Sequence, residues 1–224
     1  MLKNHKPALL LLATAMIWGG TFIIVKQSLT ILHPLEIIAY RFTLAFLFLV
    51  LLYWRQVRRN WRATLRPGIG LGLILTVAFV TQTIGLKYTS PSLSALLTGL
   101  NAVLVALLEA IVYRKRLSRF AIGGVLTATL GLALLTWPAG EIHLETGLIF
   151  TLAAALFFAW HIVATGQTVI HHNPQTLTVI QFAFVALISW CFIPAGSFLW
   201  QYTLKTWSAL LYLSIPATGI AFFC

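Results

Sequence analysis

The chain has 224 residues, of which 60% are hydrophobic and 8% are charged, and its mean hydropathy is +0.94. This composition excludes an ordinary soluble globule and is typical of a protein whose solvent is largely lipid. The formal net charge of +11 does not indicate nucleic acid here, because the basic residues cluster at the ends of apolar runs. Their expected partner is anionic lipid.

Apolar runs of about 20 residues recur along the whole chain, and a run of that length crosses a bilayer as a helix. No link between them is long enough for a separate domain. The predicted fold is therefore all-α, a polytopic transmembrane helix bundle with eight helices present of ten. The eight runs are 7–25, 35–54, 68–86, 92–113, 120–137, 147–165, 177–198 and 208–224.

Basic residues in the links of this eight-helix pattern are distributed unevenly between the two sides. Eleven lie on the side of the N-terminus and three on the other. Cytoplasmic links carry the excess of Lys and Arg, so the pattern predicts a cytoplasmic N-terminus. The eleven are Lys3, Lys6, Arg55, Arg58, Arg59, Arg62, Arg66, Arg114, Lys115, Arg116 and Arg119, and the three are Lys26, Lys87 and Lys205.

A weak internal repeat appears when the chain is shifted on itself by 140 residues. The shift places the first predicted helix on the sixth and the second on the seventh. It aligns Ala15 with Ala155, Gln27 with Gln167, Pro34 with Pro174 and Phe42 with Phe182. Each half would hold five helices, and an odd number makes the second half cross in the opposite sense. The predicted repeats are 1–140 and an incomplete 141–224 with about three helices.

Four segments together resemble the EamA-type transporters of the drug/metabolite transporter superfamily. They are AMIWGGTF at 15–22, HPLEIIAYRF at 33–42, GLKYTSPSLSALL at 85–97 and GGVLTATLGLALL at 123–135. The resemblance implies ten helices in two inverted five-helix repeats and transport of small metabolites, often outward, through a central cavity. Asn101 stands where the family usually carries a proline, and Lys115 stands where a glutamate is expected.

The end of the sequence predicts a C-terminally truncated carrier, a fragment of a transporter. The apolar run that closes the chain, SIPATGIAFFC at 214–224, stops before a full crossing is complete. By the repeat offset, about 50 residues that would form the last two helices are missing. Residues 1–224 alone are therefore expected to show no saturable flux.

Four polar or aromatic residues within predicted helices are candidates for the substrate pathway: Trp18, Arg41, Asn101 and His161. A charge such as that of Arg41 costs about 2.5–3.5 kcal/mol at a helix centre, so it must face a wet cavity or an ion-pair partner. Glu36 is the nearest acid, but a spacing of five residues sets the two side chains about 140° apart around a helix.

The other three candidates each allow two interpretations. An amide such as that of Asn101 at mid-bilayer bonds across helices or lines a cavity. The family resemblance places Trp18 in the central chamber, and the alternative is a tryptophan that packs beside Gly19 at a close helix contact. His161 carries a proton or contacts substrate, or it is a buried neutral imidazole bonded to a neighbour.

Signatures of enzymes are missing from the sequence, which has no nucleotide-binding glycine loop, G-x-S-x-G elbow or H-E-x-x-H pair. No cofactor is predicted. Glu141, His143 and Glu145 alternate in a link, but one nitrogen ligand makes a poor metal site, so no metal is predicted. The sequence indicates a secondary transporter of the inner (plasma) membrane that exports small organic metabolites by alternating access. The alternatives are a noncatalytic membrane scaffold or subunit, and a non-functional fragment.

Overall fold

The computed structural model describes residues 6–112, 114, 119–136, 146–194 and 202–222. Within these ranges the chain is helical with short links and has no strand, so the predicted all-α fold is confirmed. The helices are α1 (Lys6–Ser28), α2 (Pro34–Tyr88), α3 (Pro91–Gly99), α4 (Asn101–Val112), α5 (Arg119–Thr136), α6 (Thr146–Thr168), α7 (Pro174–Cys191) and α8 (Leu204–Ser214). A π-helical turn at Ile215–Ile220, called the π segment below, follows α8. The link with Glu141, His143 and Glu145 lies outside the described residues.

Four stretches of the described chain are long and apolar enough to cross a membrane: Pro34–Tyr88, Pro91–Val112, Thr146–Thr168 and Pro174–Cys191. The first of them holds two predicted crossings. The full number of eight stays a prediction.

Helix α2 is two arms that fold back on each other at Tyr53, whose φ of −113° and ψ of 23° are not helical. Phe42 packs on Phe182 with ring centroids 5.1 Å apart, and Gly68 lies against Ile180. A straight helix would separate Phe42 from Gly68 by about 39 Å, whereas Ile180 and Phe182 are neighbours on α7. The chain therefore reverses at Tyr53, between a first arm (34–52) and a second arm (54–88).

The second arm differs from the sequence prediction, which treated residues 55–67 as a link. These residues continue the helix that holds the third predicted crossing, and Pro67 lies inside it. Arg, Leu and Ala are good helix formers, so the helix continues through this stretch. The basic residues disfavour the hydrocarbon core but do not end the helix.

Two small residues let the second arm lie close against α7. A Cβ added at Gly68 would lie 2.6 Å from Cγ2 of Ile180, and one added at Gly72 would lie 3.0 Å from Cβ of Phe184. Because a step of four residues along one helix matches a step of four along the other, the second arm and α7 run parallel at this contact. The glycines at these positions permit the close approach.

The chain divides into two compact units. The first comprises Met1–Thr76 and His172–Cys224, and the second comprises Val77–His171, so the second arm of α2 passes from one to the other. The core of the first is formed by fully buried side chains that include Ile37, Ile38, Phe42, Phe182, Leu210 and Leu213. In the second, Gly85 and Gly147 bring the end of α2 against α6, since an added Cβ at Gly85 would lie 2.5 Å from Thr151 Oγ1. These compact units are not the predicted repeats 1–140 and 141–224, and the boundary between the repeats at residue 140 stays a prediction.

Helix boundaries recur at the offset of the predicted repeat. Helices α1 and α6 end at Ser28 and Thr168, 140 positions apart. Helices α2 and α7 begin at Pro34 and Pro174, again with the same separation. These boundaries agree with the offset of 140 residues, and the inverted repeat itself stays a prediction.

Candidate functional site

The π segment interrupts regular helix near the end of the described chain. It contains Pro216, which has no N–H to donate, and Gly219. The Ala221 N–H donates to the Pro216 carbonyl at 3.1 Å, and the Thr218 hydroxyl donates to the Leu213 carbonyl at 2.8 Å. The first is a backbone bond that spans five residues, which is the π pattern, whereas the second is a side-chain bond, and π turns recur at functional sites.

Trp18 of α1 is bound to this segment. Its Nε1 donates to the Ala217 carbonyl at 2.9 Å, and its ring meets Phe222 edge-on with centroids 6.0 Å apart. The side chain is still 41% exposed. One edge of Trp18 thus packs on the π segment, while a Cβ added at the neighbouring Gly19 would meet no described atom within 4 Å, so the expected close helix contact is not at Gly19. A role of Trp18 in the substrate pathway stays a prediction.

Arg41, in the first arm of α2, binds the same segment. Its guanidinium Nε donates to the Thr218 hydroxyl at 2.5 Å, and only 6% of the residue is exposed. Thr218 itself is fully buried. The positive charge of Arg41 is therefore held inside the protein on a polar group of a distorted helix.

Glu36 faces a different neighbourhood from Arg41, as the helical spacing predicts. Its carboxylate accepts from the His33 N–H at 2.6 Å and from the Tyr202 hydroxyl at 3.2 Å. Burial raises the pKa of Tyr202 above its usual value, and the Glu36 carboxylate and Tyr40 add to this rise. The phenol therefore stays protonated, and its O–H donates a hydrogen bond to the Glu36 carboxylate.

An aromatic cluster adjoins Glu36, and the sequence analysis missed it. The ring of Tyr40 meets Trp190, Tyr202 and Trp207 edge-on at centroid distances of 5.1, 5.8 and 5.7 Å. Trp190 also donates to the Thr43 hydroxyl at 2.9 Å. Aromatic residues inside apolar runs look like ordinary core, so no sequence signal identified this group.

A cavity of about 520 Å³ lies in the first unit, between the end of α1 and the start of α8. Helices α1 and α8 run in opposite directions. The end of α1 lies across the cavity from the start of α8, whereas Trp18, earlier in α1, contacts Ala217, which follows α8. Tyr212 lines the cavity and donates to the Ile17 carbonyl at 3.2 Å, directly before Trp18. The full lining is Ile24, Gln27, Ser28, Thr30, Ile31, Thr203, Lys205, Thr206, Ser208, Ala209 and Tyr212.

The other two candidates belong to the second unit. Asn101 is half-buried and begins α4, because the fourth predicted helix is broken at Leu100, after Gly99. His161 of α6 is buried, and its Nε2 lies 3.4 Å from the Thr165 hydroxyl one turn later. Of the four candidates, the structure thus brings Trp18 and Arg41 together on the π segment.

Comparison with known proteins assigns the chain to a family. Residues 5–137 match the EamA-like transporter family. An uncharacterized transporter of Archaeoglobus fulgidus is 26% identical over 98% of this chain and 78% of its own length. A second from the same organism is 27% identical, and the alignment covers 78% of this chain. A Salmonella typhimurium protein named "Probable amino-acid metabolite efflux pump" is 26% identical over 83% of this chain and 61% of its own length.

A solved structure shares the fold, with a TM-score of 0.68 at 23% identity over 96% of this chain and 76% of that chain. The chain spans about half the length, 54%, of the second Archaeoglobus protein. The family match covers more than half of the 224 residues and agrees with the apolar helices and with the names of the relatives. The chain belongs to the EamA-like transporter family and is a multi-pass membrane protein.

Proposed function

We propose that the protein is a secondary transporter that exports small organic metabolites across the inner (plasma) membrane. The observation that carries the proposal is the buried Arg41 guanidinium on Thr218 of the π segment, with Trp18 on the adjacent carbonyl. Charged groups within membrane helices mark substrate or ion pathways, and interrupted helices form binding sites near the midplane. The nearby cavity includes Tyr212 in its lining, and the Tyr212 hydroxyl donates to the Ile17 carbonyl next to Trp18, so the cavity is a candidate route to this place.

Alternating access between two inverted repeats is the mechanism that we propose. The second arm of α2 runs parallel to α7 and reverses the direction of the first arm, so the first arm and α7 run in opposite directions. These two segments are repeat equivalents by the offset of 140. Phe42 also touches its own equivalent, Phe182, which is the contact that a local two-fold axis creates.

The proposed orientation has the N-terminus in the cytoplasm. It rests on the excess of basic residues on that side. A cysteine introduced at Arg59 should be shielded from an impermeant thiol reagent applied outside the cell, with Cys191 and Cys224 replaced. Labelling of that cysteine from outside would contradict the orientation.

Reconstitution tests the transport proposal. The protein encoded by the complete reading frame that contains residues 1–224 is placed in liposomes, and efflux of a panel of amino-acid metabolites is measured against protein-free liposomes. We expect saturable efflux of at least one class of metabolite without added nucleotide. A folded protein that moves none of them would support the noncatalytic scaffold or subunit instead.

A further inference from the structure

Five arginines at the start of the second arm of α2 lie on one face of the helix. Their spacings of three, one, three and four residues confine them to an arc of about 100° around the axis. All five side chains are exposed. We call this face the arginine stripe, formed by Arg55, Arg58, Arg59, Arg62 and Arg66.

The opposite face of the same helix is packed against the protein. Thr64 lies about 180° from the centre of the stripe and is 1% exposed. Gly68, also on the far side, lies against Ile180 of α7. Because the helix cannot turn without breaking this packing, the arginines are held outward as a fixed surface.

The stripe extends past the part of the arm that fits in hydrocarbon. The second arm has 35 residues and is about 52 Å long, whereas the hydrocarbon core of a bilayer is about 30 Å thick. In the parallel register that matches Gly68 with Ile180, Arg62 is level with Pro174, the first residue of α7. The remaining arginines toward Tyr53 lie beyond the first residue of α7, and because α7 is a candidate membrane span, we expect them at the depth of the lipid headgroups.

Exposed apolar side chains flank the stripe on one side. Trp54 is 57% exposed and Trp61 is 44% exposed, and Leu65 lies on the same flank. The guanidinium of Arg62 lies 5.5 Å from the centroid of the Trp61 ring. Tryptophans are enriched at the boundary between hydrocarbon and headgroups, which agrees with the depth given by the helix lengths.

The sequence supplies no acidic residue between Glu36 and Glu109 to neutralise the stripe. Glu36 is buried and accepts from His33 and Tyr202. A guanidinium binds phosphate oxygens through two parallel N–H donors, and basic residues at a membrane surface attract anionic lipid. We propose that the arginine stripe is a docking surface for the headgroups of anionic phospholipids, which fix the second arm at the membrane interface.

The proposal rests on the membrane location of the family and not on the proposed transport, so it is tested by binding alone. Purified protein in detergent is mixed with equal amounts of phosphatidylglycerol and phosphatidylcholine, and bound lipids are counted by native mass spectrometry. The variant Arg58→Gln/Arg62→Gln should lower the preference for phosphatidylglycerol roughly thirtyfold, at the usual strength of one interfacial charge for each arginine. The variant Arg58→Lys/Arg62→Lys should keep most of the preference.

A matched control removes two positive charges elsewhere, in the variant Lys26→Gln/Lys87→Gln, which should retain the preference. An equal loss in this control would overturn the proposal, because the effect would then be one of net charge. Full retention in the Arg58→Gln/Arg62→Gln variant would overturn it as well.

Displacement of the lipid from the unaltered protein by millimolar inorganic phosphate would also overturn the proposal, since the site would then take a free anion. If the glutamine variant fails to fold, a salt titration of the unaltered protein decides: loss of the preference at high salt supports the proposal, and binding that resists salt contradicts it.

Discussion

Two polar places inside the helical core, one in each compact unit, differ in what their hydrogen bonds join. Arg41 and Trp18 bind atoms of the π segment, about 180 and 200 residues away in sequence, so three elements meet there. His161 lies 3.4 Å from Thr165 on the same helix, one turn away. A bond within one turn exists whenever the helix forms, whereas the bonds of Arg41 and Trp18 exist only when the first unit is assembled. The bonds of Arg41 and Trp18 therefore depend on the assembly of the first unit, whereas the contact between His161 and Thr165 does not.

The largest expected effect is that of Arg41→Gln on transport. Glutamine keeps some hydrogen bonding but removes the charge, so efflux should be nearly lost while the amount of inserted protein is kept. The measurement is flux in proteoliposomes that contain the protein encoded by the complete reading frame, normalised to inserted protein. A variant that transports as well as its parent would show that the charge plays no part in the mechanism.

Thr218→Val should have the next largest effect, on stability. It leaves the buried Arg41 Nε without this acceptor, which costs about 1–3 kcal/mol of unfolding free energy. Denaturant titration in detergent measures the change. Thr218→Ser keeps the hydroxyl and serves as the control, so equal losses in the two variants would assign the effect to packing rather than to the hydrogen bond.

Trp18→Phe should cost less, about 1 kcal/mol, because the Ala217 carbonyl loses one neutral hydrogen bond while the aromatic contact with Phe222 remains. The same titration applies. Combined with Thr218→Val, the loss should differ from the sum of the two single losses, since both residues hold one segment. Simple additivity would argue against a single assembled site.

Thr165→Val should have the smallest effect, within about 0.5 kcal/mol, because the contact with His161 is long and lies within one helix. It is the matched counterpart of Thr218→Val in the second unit. If both valine variants lose the same stability, the contrast between the two places is wrong.

Sequence patterns predicted the all-α fold class and the family, since long apolar runs and the four family-like segments can be recognised in the sequence itself. They also selected Trp18 and Arg41. They missed Thr218 and the π segment, because a threonine in an apolar run resembles a packing residue and a π-helical backbone bond has no sequence signature that these patterns detect. The helical course of residues 55–67 was missed for another reason, because charge was taken to indicate a loop.

The contact between Phe42 and Phe182 has a consequence for motion under the proposed inverted repeat. When two such halves exchange their conformations, every residue takes the surroundings of its counterpart. A contact between residues that are not counterparts is then replaced by the contact that the two-fold axis relates to it. A residue that touches its own counterpart is exchanged only with the residue that it already touches. Under the proposed mechanism, the two phenylalanine rings therefore stay in contact in both end states, and the rest of each half rearranges around this unchanged contact.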